Sequence, residues 1–173
     1  MSGKLSGLDP QSVFHYFEEI CGIPHGSGDT ARISDYCVAF AKAHHLAYHQ
    51  DALGNVIIKK PATACYESHA PVILQGHLDM VPQAAPGKVF DFEKDPVTPV
   101  IREDFIYADG TTLGADDGIG VSIALAALAD ENIKGNLKAP KRNTIIQWSD
   151  IQVNRTMIAK ILEGQINKPF EEA

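Results

Sequence analysis

Apolar positions recur at helical spacing through the first forty residues and then give way to short β-branched runs. Phe14, Phe17, Ile20 and Cys21 fall on one helix face. Asp9 is the expected N-cap of that helix, Pro10 its first helical position, and Gly22-Ile23-Pro24 its stop. Past the polar loop His25-Gly-Ser-Gly-Asp29, the pattern predicts a second helix of about 17 residues with Asp29 as cap. Its inward face is Ile33, Tyr36, Cys37, Phe40 and Ala41.

The strands are shorter. Leu46–His49 and Asn55–Ile58 form a predicted pair around the turn Leu53-Gly-Asn55. Pro71-Val-Ile-Leu-Gln75 is compact and β-branched, which predicts a central strand of a sheet covered on both faces. Residues 82–104 contain Pro82, Pro86, Pro96 and Pro99 and read as a long excursion. A strand pair is predicted at Val97–Arg102 and Phe105–Ala108, then a helix over Gly118–Ala129 with Ile119, Ile123, Ala126 and Ala127 inward. Thr144-Ile-Ile-Gln-Trp148 reads as a strand. Val153, Met157, Ile158, Ile161 and Leu162 predict a helix over 153–163, closed by Gly164. Helices alternating with strands make an α/β layered domain.

Composition narrows the class. A length of 173 residues suits one domain with a sizeable core. The net charge of -7 argues against a general nucleic-acid surface. No apolar run approaches membrane-spanning length and no apolar signal segment is evident, so the expectation is a cytoplasmic protein without membrane partners. Cys21, Cys37 and Cys65 are an odd count without a Cys-x-x-Cys pair; the first two read as packing thiols. Charge divides the chain at Lys134. Residues 1–133 carry -10 and residues 134–173 carry +3, which marks a candidate boundary between a first segment and a basic tail.

Candidate chemistry concentrates in two segments. Gln75-Gly-His77-Leu-Asp79-Met-Val-Pro places a histidine and an aspartate two residues apart at a predicted strand end, so both project to one face. Ligand sites of open α/β sheets gather at such ends. A neutral imidazole suits zinc, manganese or cobalt, and a carboxylate on its other ring nitrogen fixes the tautomer, a role open to Asp79. The alternative is a hydrogen-bonded loop histidine beside a turn-capping aspartate. Leu113-Gly-Ala-Asp116-Asp117-Gly-Ile-Gly120 reads either as an N-cap pair or as a glycine-flanked carboxylate bridging two metals. It is not a Walker loop, a dinucleotide fingerprint or an EF-hand. His25 reads as a turn residue or a pocket wall, and His44-His45 as a structural helix end.

Together these segments carry a resemblance. Ile23-Pro-His25, Leu53-Gly-Asn55-Val, Val72-Ile-Leu-Gln-Gly-His77-Leu-Asp79-Met-Val-Pro-Gln83 and Asp109-Gly-Thr-Thr-Leu-Gly-Ala-Asp116-Asp117-Gly-Ile-Gly120 closely resemble the bacterial aminoacyl-histidine dipeptidases. These are also called cytosol non-specific dipeptidases or peptidase D, of the di-metal aminopeptidase/carboxypeptidase clan. The match covers residues 5 to 133 in the expected order. It implies the N-terminal part of a three-layer zinc-peptidase-like catalytic domain, a mixed sheet flanked by helices, with the lid domain absent. It implies two divalent ions, zinc foremost with manganese or cobalt as alternatives, and a small peptide substrate. His77 would bind one ion, Asp116 would bridge both, and Asp79 would orient His77 as its catalytic partner. Asp117 would be an accessory residue, joined to Asp116 by a peptide bond that is often cis in the clan.

The sequence then departs from the pattern. The family carries a Glu-Glu pair, base and ligand, roughly 30 residues after the bridging aspartate. Here that window is Thr144-Ile-Ile-Gln-Trp148, without an acid, and no histidine follows His77. The resemblance implies a metal-dependent dipeptidase, Xaa-His or broad in specificity, whose activity is impaired in this chain because the base is missing. Two other readings stand beside it: a non-catalytic binding or assembly module, and an aberrant truncated product.

Overall fold

The computed structural model describes residues 3–133. The predicted strand at 144–148 and helix at 153–163 lie outside the described residues, as does the proposed boundary at Lys134. Within them the order is α1 (Gln11–Cys21), α2 (Ala31–Ala43), β1 (Ala47–Gln50), β2 (Val56–Lys59), β3 (Pro99–Arg102), β4 (Phe105–Ala108) and α3 (Ala115–Ala129). The mixed α/β make-up is the expected one. The strands pair as two antiparallel hairpins, β1 with β2 and β3 with β4. None of these helices is long and apolar enough to cross a membrane.

α1 and α3 pack closely because α3 presents a glycine where they meet. A Cβ at Gly118 would lie 3.1 Å from a ring carbon of Phe17 and would push that ring back, so glycine here allows the closer approach. One core cluster gathers Leu5, Phe17, Cys21, Met80 and Val97; the other gathers Ile20, Ile33, Phe40, Val121 and Leu125. Cys21 and Cys37 are buried packing thiols, each pushed up to about 12 by desolvation. The α2 face is the expected one, with Ile33, Cys37, Phe40 and Ala41 buried.

Both helix starts differ from expectation. Pro10 has extended ψ of 121°, so it is the N-cap rather than the first helical residue, and no side chain caps α1. Asp29 does not cap α2. Its carboxylate accepts from Arg32 at 2.5 Å, and Thr30 occupies the cap without a side-chain bond. α2 spans 13 residues to Ala43, with His44 as its C-cap, short of the expected length. On α3, Ile123 is 49% exposed, whereas Val121, Ser122, Leu125 and Ala126 are buried. Counting by 3.6 from the inward Gly118 selects these positions and turns Ile123 outward.

The largest difference concerns residues 71–75. They form no strand, and Val72, Ile73 and Leu74 are 51%, 42% and 44% exposed. A central strand needs a hydrogen-bonded neighbour on each side, and among the described residues no strand pairs with this one. The segment still aims correctly, because it delivers Gly76 and His77 to the start of α3.

Candidate active site

The site is assembled from three stretches that are distant in sequence. The loop between α1 and α2 grips the segment after His77. Met80 N–H donates to the carbonyl of His25 at 3.1 Å, and Ser27 N–H donates to the carbonyl of Met80 at 3.0 Å. On its other side, the start of the proline-rich excursion is zipped to the chain preceding α3. Thr112 N–H donates to Gln83 O at 2.8 Å, Ala85 N–H to Gly110 O at 2.9 Å, and Thr112 Oγ1 to Val81 O at 2.6 Å. These bonds bring the loop carrying Asp116 up to the loop carrying His77.

His77 sits between two carboxylates. Its Nδ1 lies 2.9 Å from the carbonyl of Asp79 and 3.2 Å from Asp79 Oδ1. Its Nε2 lies 3.2 Å from Oδ1 of Asp116, a residue 39 positions later. The Asp116 side chain is 99% exposed, while that of His77 is 22% exposed. The i, i+2 spacing of His77 and Asp79 thus does bring them together, and the glycine-flanked acids supply the third member.

Asp117 faces the other way. Its half-buried carboxylate accepts the backbone N–H groups of His77 and Gly120, and burial together with the neighbouring Asp116 charge raises its pKa from its ordinary value. Burial is the dominant cause and outweighs the opposing pull of His77. Gly76 and Gly120 leave the space this carboxylate occupies; a Cβ on either would press on its oxygens. The helical dihedrals of α3 begin only after Asp117, and the peptide joining Asp116 to Asp117 is cis.

His25 is a buried wall of this region, 3% exposed. Its Nδ1–H donates to Ile23 O at 2.5 Å, and its Nε2 would meet a Cβ on Gly114 at 3.5 Å. Gly114 has φ of +74°, the left-handed region that glycine enters without strain. His44 and His45 follow the last turn of α2, far from this chemistry in sequence, with the His44 ring tilted against Phe40 at 4.4 Å.

The donor set suits a divalent cation in kind. A neutral ring that donates through Nδ1 to Asp79 presents a lone pair at Nε2, and so does the Asp116 oxygen opposite it. Two lone pairs facing at this distance are reconciled by a proton or by a metal ion between them. The set is incomplete in number. Among the described residues no group of three or more His, Cys, Asp or Glu side chains converges to hold a metal. Ser27 and Thr112, which brace the two loops, had no signal in the sequence, since neither falls in a spacing that implies contact. A groove lined by Gly26, Ser27, Asp29, Pro82, Phe90 and Phe92 borders Ser27 but does not include His77 or Asp116.

No family model matches the chain. A curated relative, the cytosol non-specific dipeptidase of Escherichia coli, is 49% identical over 130 residues, which is 75% of this chain and 27% of that protein. The crystal structure of the aminoacylhistidine dipeptidase from Vibrio alginolyticus superposes with a TM-score of 0.73 at 39% identity, covering 81% of this chain and 30% of that one. A tripeptidase structure from Staphylococcus aureus, at 24% identity and a TM-score of 0.55 over 70% of this chain and 32% of its own, shares the fold. The chain spans about 30% of the length of these relatives. Over most of its length it is similar, in sequence and in fold, to the aminoacyl-histidine dipeptidases, matching an N-terminal portion of them.

Proposed function

We propose that residues 3–133 carry one flank of a metal-dependent dipeptidase site, in which His77 and Asp116 hold a divalent ion and Asp79 holds the His77 ring. The observation that carries this reading is the 3.2 Å approach of His77 Nε2 to Asp116 Oδ1, with Nδ1 already engaged by Asp79. Nitrogen and oxygen ligands bound at about 2.1 Å at a tetrahedral angle stand about 3.4 Å apart, close to that spacing. Zinc fits an imidazole and a carboxylate, and manganese or cobalt fits them too.

Each residue then has a task. Asp79 keeps the ring's Nδ1 protonated, so that Nε2 presents its lone pair. Asp116, with its side chain open to solvent, would be free to help hold a second ion. Asp117 braces the loop from behind through the amides of His77 and Gly120. Divalent ions held by these residues would supply Lewis-acid polarisation of a peptide carbonyl and acidify a water. A carboxylate must still take the water's proton, and the chain offers no acid at Thr144-Ile-Ile-Gln-Trp148 where the family places one.

The proposal is therefore binding without efficient hydrolysis by this chain. Assaying the purified chain on dipeptides, Xaa-His among them, with zinc, manganese or cobalt tests it. No turnover above the metal blank is expected; robust turnover that vanishes in Asp116→Ala would contradict it.

A second reading, a non-catalytic binding or assembly module, is favoured by the exposed Val72, Ile73 and Leu74. Size-exclusion chromatography across a concentration series tests it: a monomer at all concentrations argues against assembly through these residues.

A further inference from the structure

We propose that Ser27 is a positioning residue for the His77 imidazole, acting through Asp79; this rests on the reading of His77 and Asp116 as metal-holding groups. The two oxygens of Asp79 are divided between two partners. Oδ2 accepts the Ser27 hydroxyl at 2.5 Å, and Oδ1 faces His77 Nδ1 at 3.2 Å. The terminal torsion of an aspartate is broad and soft, so a carboxylate held by one partner alone can turn its plane. A second donor on the opposite oxygen removes that freedom and aims Oδ1 at the ring.

Ser27 is itself fixed by backbone pairing. Its N–H donates to Met80 O at 3.0 Å, Gly26 forms a parallel bridge with Met80, and Met80 N–H donates to His25 O at 3.1 Å. The hydroxyl therefore has a defined origin next to Asp79. It also lies 3.3 Å from Met80 O, but the shorter, charge-assisted bond to the carboxylate is the stronger of the two. The second acceptor of His77 Nδ1, at 2.9 Å, is the carbonyl of Asp79 itself. That carbonyl adjoins the same clamped peptide. One loop, 25–27, thus orders both acceptors on the far side of the ring from Asp116.

The test uses the full chain with Ser27→Ala, Ser27→Thr, Asp79→Ala and the double variant Ser27→Ala/Asp79→Ala. Zinc affinity is measured by calorimetry, and the His77 ring nitrogens are followed by nitrogen-15 NMR in the metal-free chain. Removing partners behind a metal-bound histidine costs about 10–100-fold in affinity. Ser27→Ala is expected at the lower end, about 10-fold, with Ser27→Thr restoring wild-type binding because it keeps the hydroxyl. In the Asp79→Ala background the serine substitution should cost nothing further. The His77 Nδ1 signal should shift in Ser27→Ala and return in Ser27→Thr. Wild-type affinity and an unchanged ring signal in Ser27→Ala overturn the proposal. So does a loss that persists undiminished in the Asp79→Ala background, which marks a merely structural serine. If no form of the chain binds zinc while the ring signal responds as stated, the metal reading fails and the role of Ser27 stands.

Discussion

The Oδ2 of Asp117 lies 2.5 Å from the point where a Cβ on Gly76 would sit. The residue before His77 and the residue after Asp116 are thus fitted to one another, and the fit requires glycine for space rather than for backbone conformation. Gly76→Ala must displace the Asp117 carboxylate, and it also crowds Val121, whose Cγ2 is 3.0 Å from the same point. Overpacking of this kind costs about 1–3 kcal/mol. Urea unfolding should show that loss for Gly76→Ala and little change for Gly7→Ala, where an added Cβ meets nothing within 4 Å.

His25 gives the fold a dependence on mild acid. Burial lowers its pKa below the ordinary value of 6.5, against smaller opposing contributions from the Ile23 carbonyl and Asp79. The unfolded chain therefore binds a proton at His25 more readily than the folded one. The stability this residue contributes is present above pH 6.5 and is lost as pH falls toward the lower folded value. Unfolding free energies taken between pH 7 and pH 5 (about the imidazole range) should fall less steeply in His25→Gln than in the wild type. Equal slopes would show that His25 does not set this dependence.

The end of α3 is held by a cation from just beyond β2. Lys60 Nζ donates to Ala127 O at 3.2 Å and also to Asp130 O, two carbonyls at the negative end of the helix. Lys60→Met keeps the apolar stem and removes the ammonium, so it should cost about 1 kcal/mol in urea unfolding. No measurable loss would place the ammonium in solvent instead.

Much of this was legible in the sequence. The faces of α1 and α2, the β1–β2 hairpin and the β3–β4 hairpin follow from periodicities that act over a few residues. His77 and Asp79 were legible as a pair because i, i+2 on an extended chain forces them to one side. The helix caps were not, since Asp29 had a competing partner in Arg32 one turn on. Ser27 was invisible because its contact with Asp79 spans 52 positions and depends on the whole loop path. Residues 71–75 show the opposite case. Their composition predicts a covered strand, but covering is a property of neighbours, and the described residues supply no hydrogen-bonded partner strand.

That exposed stretch has a measurable consequence. Val72, Ile73 and Leu74 form a short apolar run with β propensity on the surface, a pattern that promotes edge-to-edge association. Replacing Val72 and Leu74 by lysine should reduce concentration-dependent light scattering and dye binding to apolar surface. The unfolding free energy should change by less than about 0.5 kcal/mol, as for surface positions. A large loss of stability would mean that these side chains are packed.

His77 and Asp116 are proposed to grip one divalent cation together. Titrating the full chain with cobalt(II) and following its visible absorption tests this most directly, because the spectrum reports nitrogen and oxygen ligation at the ion itself. A saturable band is expected in the wild type and is lost in both His77→Ala and Asp116→Ala. A wild-type spectrum indistinguishable from that of Asp116→Ala would contradict it.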